Sequence, residues 1–378
     1  MCGRRARAKS VSIQHSKKSI DHAIALNRRG FPLGWINEEQ RPILPTVDEV
    51  IRRWQDDQAS ILPGVLQIQD WQADIGQSEQ LMQAVLQSAE LVTQLDLPPY
   101  PARLGDQFPL LASSLEEHDK QAIEKVYFDA LQKSELMAED LWCKASWLSF
   151  LDNDASLRFR FSFGMEGLED VAADPVRQLW AGKLCDALFP ESAILTGDET
   201  ILSLLQDMLG GAAMFVERIV YFNAPGGGAQ MHHDVERGHD GVVFAQLSGR
   251  TFWLAISKCR LMDALIDFAA KPSHAMDIAA VLPAQPDQLL LQQLLQDRSA
   301  LSDYMEETDH ECIEAIIDRC PAFIGHLCDL GFAHILHPGD VLFMPQRDLN
   351  HCVWHSVCCL DDEPGEALSF AIRKEVNA

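Results

Sequence analysis

The chain has 378 residues, 47% of them hydrophobic and 23% charged, with a formal net charge of −25. That is the composition of a folded globular protein, long enough for one large domain with a helical extension or for two domains. No run of about 18 apolar residues occurs, which excludes a helical membrane span, and a chain this acidic would repel the phosphates of nucleic acid.

The charge is uneven along the chain. Residues 1–30 hold eight Lys/Arg and one acid, Asp21; the chain as a whole holds 31 Lys/Arg and 56 Asp/Glu, so residues 31–378 carry −32. Residues 1–30 are therefore expected to form a flexible basic arm, and no apolar leader core follows Met1–Arg5. Ten cysteines lie scattered without CxxC spacing, the pattern of reduced thiols in a cytoplasmic protein.

From Thr46 to Leu97 the apolar spacing is mostly helical, and Pro98-Pro99-Tyr100-Pro101 ends it. Ser113-Ser114-Leu115-Glu116 fits a capping box, which predicts a second helical stretch to about Phe150. Residues 31–150 are thus expected to be a helical region. Leu157–Phe163 then alternates strictly between apolar and polar residues and predicts a strand.

Further strands are predicted at Phe215–Phe222, Val242–Leu247, Thr251–Ile256, Val341–Met344, Cys352–Cys358 and Ala367–Arg373, with a turn at Ser248-Gly249. Between Lys258 and Phe332 the pattern is helical again, with a capping box at Thr308-x-x-Glu311. The expected fold is α+β: a double-stranded β-helix (jelly roll or cupin) over residues 151–378, with a helical insert at 258–332.

His232-x-Asp234 places two metal-ligand types on one face of an extended segment, because side chains alternate with period two. A distant histidine would complete two imidazoles and one carboxylate. That set holds one face of an octahedral Fe(II) and leaves the opposite positions open. The glycines of Ala224-Pro225-Gly226-Gly227-Gly228, just upstream, permit close backbone approach.

These residues, with Phe244–Leu254, Pro338-Gly339-Asp340-Val341-Leu342-Phe343-Met344-Pro345 and Trp354-His355-Ser356-Val357, resemble the JmjC/cupin-like Fe(II)- and 2-oxoglutarate-dependent oxygenases. The likeness is nearest the hydroxylase branch typified by the asparaginyl hydroxylase factor inhibiting HIF. It implies Fe(II) held by His232, Asp234 and His355, with His351 as rival for the third place. It also implies O2 and 2-oxoglutarate as co-substrates, and hydroxylation of a C–H in a protein side chain, an amino acid or a small natural product.

Where that family carries a lysine for the distal carboxylate of 2-oxoglutarate, this chain has Thr251. The resemblance then points to Arg373 with Thr251 assisting, and to Tyr221 and Asn223 as co-substrate contacts, Tyr221 fitting a core position equally well. Phe244, Phe252 and Phe370 are expected to keep the cavity dry, and the acidic surface favours a basic substrate. Two rival readings are a metal cupin that does not use 2-oxoglutarate and a non-catalytic binding module of the same fold.

Overall fold

The alternation over Leu157–Phe163 produces the strand it predicts, with Leu157, Phe159, Phe161 and Phe163 all buried. The computed structural model describes residues 23–37, 41–87, 90–115, 121–148, 155–165, 173–236 and 238–375. In chain order its strands are β1 (Ala23–Arg28), β2 (Phe31–Asn37), β3 (Ser60–Leu62), β4 (Leu110–Ser114), β5 (Ala122–Gln132), β6 (Glu135–Trp147) and β7 (Leu157–Phe163). They continue with β8 (Ala213–Asn223), β9 (Gly241–Gln246), β10 (Thr251–Ser257), β11 (Ala333–Leu336), β12 (Val341–Asp348), β13 (His351–Cys359) and β14 (Gly365–Lys374).

A large antiparallel sheet has the order β3-β12-β9-β14-β8-β7-β6-β5-β4, and a small one the order β11-β10-β13. A bulged hairpin carries the chain from one to the other, with Gln346 opposite Cys352 and Asp348 opposite His351. Val242, Phe244, Trp253, Met344, Val353 and Val357, drawn from both sheets, form one buried cluster between them. The chain is therefore α+β with a jelly-roll sandwich at its centre, as its strand pattern predicts.

Helices cover the outer faces. Gln72–Leu86, Pro175–Leu188 and Glu199–Leu209 pack with the large sheet in one core. The helices from Lys258 to Asp329 form a second core with Phe252, Leu254, Ile256 and Trp354 of the small sheet. Leu261, Phe268 and Phe323 are essentially inaccessible there, each burial contributing about 1.5–3 kcal/mol. The seven strands expected from Leu157 onward and the helical insert are all present.

Other expectations fail. The predicted helix from Ser113 to Phe150 is instead the end of β4 and the long hairpin β5–β6. Glu116 of the supposed capping box lies outside the described residues. The hairpin turns at Lys133 and Ser134 with φ of 50° and 67°, a left-handed pair usually signalled by Asn or Gly. The capping box at Thr308 does not form either, since the helix Glu311–Arg319 is preceded by His310 as its N-cap with no side-chain bond.

The basic arm does not extend to residue 30, because residues 23–28 are β1, paired with β2; residues 1–22 lie outside the described residues. Among the described residues no helix is long and apolar enough to cross a membrane, and the cysteines are free thiols.

Candidate metal centre

Backbone pairing brings the two histidines together before their side chains do. Gly227–His232 runs against β13 without becoming a regular strand. Ala229 and Val357 exchange hydrogen bonds of 3.1 and 2.9 Å, and His232 and His355 exchange bonds of 3.0 and 2.7 Å. Residues paired in this way project their side chains from the same face. The two imidazole centroids are 4.2 Å apart.

Asp234, two residues on, places Oδ1 3.4 Å from His232 Nε2 and Oδ2 3.5 Å from His355 Nε2. Adjacent ligands of an octahedral ion with bonds of about 2.1 Å are about 3.0 Å apart, so each histidine lies within a few tenths of an ångström of that spacing from one Asp234 oxygen. His232 Nδ1 lies 2.7 Å from the Gln230 carbonyl, a hydrogen bond that leaves Nε2 for a metal. His355 is buried and stacks on Trp253 at 5.4 Å and 22°. Donor types, spacing and this outer support all fit Fe(II).

The backbone of the ligand segment is held from two sides. Gly228 has φ of 136°, and a Cβ there would sit 2.1 Å from the Val357 carbonyl oxygen. On the other side Asp318, from the helical insert, accepts from the Met231 N–H at 2.7 Å and from the Arg28 guanidinium at 2.7 Å. Arg28 also donates to the Ala229 carbonyl at 3.0 Å. Arg28 and Asp318 are 5% and 1% exposed, so each buried charge has its partner. Sequence reasoning placed Arg28 in the arm and passed over Asp318, because nothing local to either marks a partner 290 residues away.

Burial pushes the Asp234 carboxyl up, but the imidazoles of His355, His232 and His233 outweigh it and hold the group well below the usual carboxylate range. Burial, followed by the neighbouring charge of His232, pushes His355 down to about 4. His232 moves the other way: burial lowers it, and the bond to Asp234 more than restores it. The site thus offers a carboxylate and a neutral imidazole at neutral pH, the forms a divalent cation takes.

The cluster contains His355 and not His351. His351 is exposed on the hairpin, with Nδ1 2.9 Å from Asp348 Oδ2. The expected outcome is that His351→Ala retains stoichiometric iron and His355→Ala loses it, read by metal analysis after desalting; the reverse result would overturn the assignment. His233 leans away from the cluster, with Nε2 2.9 Å from Glu306 and its ring edge-on to Trp354.

Two spaces meet at the cluster. Toward solvent lies a cavity of about 610 Å³, lined by His232, Asp234, Tyr221, Ser369, Arg158, Arg160, Glu217, Glu236 and His239 among others. Inward, between the sheets, is a space of only about 60 Å³ among Asn223, Phe244, Trp253, Met344, His355 and Val357. Tyr221 lines both and Asn223 the inner one, so both stand beside the cluster.

Thr251 and Arg373 line neither space. The Thr251 hydroxyl is occupied, donating to Gln246 Oε1 at 2.8 Å and accepting from Trp253 Nε1 at 2.9 Å. Arg373 lies beyond the end of the sandwich, since β9 stops opposite Ile372, and its Nε is 3.5 Å from the Lys374 carbonyl. Phe244 faces the inner space, but Phe252 belongs to the core under the insert and Phe370 to the core outside the large sheet. His239 is buried in the cavity wall.

No protein-family model and no curated protein sequence matches the chain. Solved structures similar to it include an oxidoreductase of the 2OG-Fe(II) oxygenase family from Burkholderia pseudomallei. That alignment has 9% identity, 90% and 96% of the two chains covered, and a TM-score of 0.33. Another is the non-heme alpha ketoglutarate dependent epimerase SnoN from nogalamycin biosynthesis, with 10% identity, 87% and 82% covered, and a TM-score of 0.35. A third is a prolyl-4-hydroxylase from Pseudomonas putida, with 9% identity, 88% and 100% covered, and a TM-score of 0.28. Identities and TM-scores this low leave the function to be read from the residues themselves.

Proposed function

We propose that the chain is a mononuclear Fe(II) oxygenase of the JmjC-like hydroxylase kind. It would use 2-oxoglutarate and O2 to hydroxylate a C–H of an amino-acid side chain or small molecule. The observation that supports this is the convergence of His232, Asp234 and His355 on one point, with the opposite side open to a cavity of about 610 Å³. When bound, Fe(II) supplies the Lewis-acidic, redox-active centre at which such enzymes couple oxidation of the keto acid to succinate and CO2 with oxidation of the substrate.

The chain's own residues do the rest. His232 and His355 present Nε2 from rings fixed by a carbonyl and by an indole face. Phe244, Trp253 and Met344 exclude water from the inner side. The outer wall has mixed charge, with Arg160 paired to Glu217 and Glu236, and Glu236 is more than half exposed. An acidic residue at that position, on a protein of −25, favours a basic substrate.

The test is succinate formation from 2-oxoglutarate with Fe(II), ascorbate and O2, against a His232→Ala control. Slow succinate that depends on His232 is expected even without the true substrate. One feature favours the rival reading, a metal oxygenase of this fold without 2-oxoglutarate: among the described residues no Lys or Arg lines the inner space, which holds only about 60 Å³. Tight iron binding together with no binding of any 2-oxo acid would decide for that rival.

A further inference from the structure

His232 and His355 are seated by strand pairing, and Asp234 is not. The exchanged bonds with β13 end at His232, and among the described residues the segment next bonds a strand at Asp240, whose N–H donates to the Ile372 carbonyl at 2.8 Å. Fixing one residue of unpaired backbone costs about 1–2 kcal/mol, so side chains must hold the carboxylate where the two imidazoles converge.

His233, between the two ligands, supplies that hold. Its Nδ1 accepts from the Val235 N–H at 3.2 Å, and its Nε2 lies 2.9 Å from Glu306 Oε2. A backbone N–H can only donate, so Nδ1 is the acceptor and Nε2 carries the hydrogen that Glu306 receives. The ring therefore closes a turn over Asp234, with the same bond to the backbone two residues on that Asn and Asp side chains make in tight turns. Neither nitrogen of His233 is left for a metal.

Glu306 is fixed in its turn. Lys258 Nζ lies 2.5 Å from its Oε1, and Lys258 is 2% exposed. Burial pushes the Glu306 carboxyl up, and the bonds from His233 and Lys258 outweigh it and keep the group below its usual range. Lys258 opens the helix directly after β10, and Glu306 follows the helix Arg298–Tyr304, so both belong to the insert. The His233 ring also stands edge-on to Trp354, the residue before His355, with centroids 5.3 Å apart.

We infer that His233, anchored by Glu306, is a positioning residue that aims the Asp234 carboxylate between the Nε2 atoms of His232 and His355. The inference rests on the metal centre proposed above and not on the choice of co-substrate. His233 touches neither the metal nor the reacting atoms, and it acts only through Asp234.

The experiment is a double-mutant cycle on the full chain, with Co(II) affinity read by calorimetry and melting temperature measured beside it. His233→Phe keeps the ring against Trp354 and removes both hydrogen bonds; it should weaken Co(II) binding at least tenfold. Asp234→Ala binds Co(II) more weakly still, and adding His233→Phe to it should cost nothing further, because the residue acts through that carboxylate. His233→Asn should recover part of the loss, since its Oδ1 can accept from the Val235 N–H in the same turn. If His233→Phe melts lower than the wild type, the same cycle run with His233→Asn decides.

Wild-type affinity in His233→Phe, or an equal loss with and without Asp234, overturns the inference and leaves the metal centre standing. If the wild type binds no Co(II), or if His232→Ala binds it as tightly as the wild type, the metal centre itself fails and the inference with it.

Discussion

Gly228→Ala should lose the metal without losing the fold. The added Cβ would meet the Val357 carbonyl oxygen at 2.1 Å and Cys358 Cα at 3.1 Å, and both are backbone atoms that cannot swing aside. The φ of 136° is also one that an L residue rarely adopts. Gly227–His232 must then back away from β13, breaking the exchanged bonds that seat His232 against His355. Loss of such support typically costs metal sites roughly 10–100-fold in affinity, and moving a ligand itself costs more.

Gly226→Ala is the control. Its φ of 70° is also left-handed, but no atom lies within 4 Å of where its Cβ would be. It should therefore bind metal nearly as the wild type does. Calorimetric titration of the metal-free proteins with Mn(II), alongside their melting temperatures, makes the comparison. Wild-type affinity in Gly228→Ala would show that close approach to β13 does not set the site.

The second large effect lies far from the metal. Glu366 and Glu191 are both fully buried, and neither Glu366 oxygen nor Glu191 Oε2 has a donor, while Ser78 Oγ bonds Glu191 Oε1 at 2.5 Å. Burial, then the neighbouring Glu191, raises Glu366 well above the ordinary carboxyl range. Burial also raises Glu191, against the lowering effect of the neighbouring Glu366 carboxyl and of the Ser78 hydroxyl. Both shifts favour the protonated, uncharged carboxyl in the folded state.

A group raised on folding holds its proton more tightly in the native state. Its contribution to stability is complete below the unfolded value of about 4.3 and is lost as pH rises through the folded one. Glu366→Gln supplies a permanent N–H donor and removes that loss. The variant should match the wild type near pH 4.5 and exceed it increasingly toward pH 8, by about 1–3 kcal/mol. Chemical denaturation across that range tests it; a variant less stable than the wild type at pH 8 would mean that Glu366 is ionised and paired.

Legibility of the fold followed the range over which each signal acts. His232 and Asp234 stand two residues apart, so a short spacing announced those two; His355 came only from the resemblance carried by Trp354-His355-Ser356-Val357, with His351 left open beside it. β9 and β10 are buried on both faces, which erases alternation. Thr251 and Trp253 could therefore be told from Phe252 only once both sheets were in place. The β5–β6 hairpin was missed because Lys133 and Ser134 adopt a turn that their types rarely take.

The ion pair between Arg28 and Asp318 gives the metal site a second reader. Asp318 belongs to a helix of the insert and Arg28 to the N-terminal hairpin, and both grip the segment that ends in His232. Whatever a metal contributes by tightening that segment, it contributes equally to docking the hairpin and the insert, because coupling free energies are reciprocal. A partner or substrate that pulls on the insert would thereby alter how firmly a metal is held, and the loss of that metal would loosen two pieces of surface that never touch it.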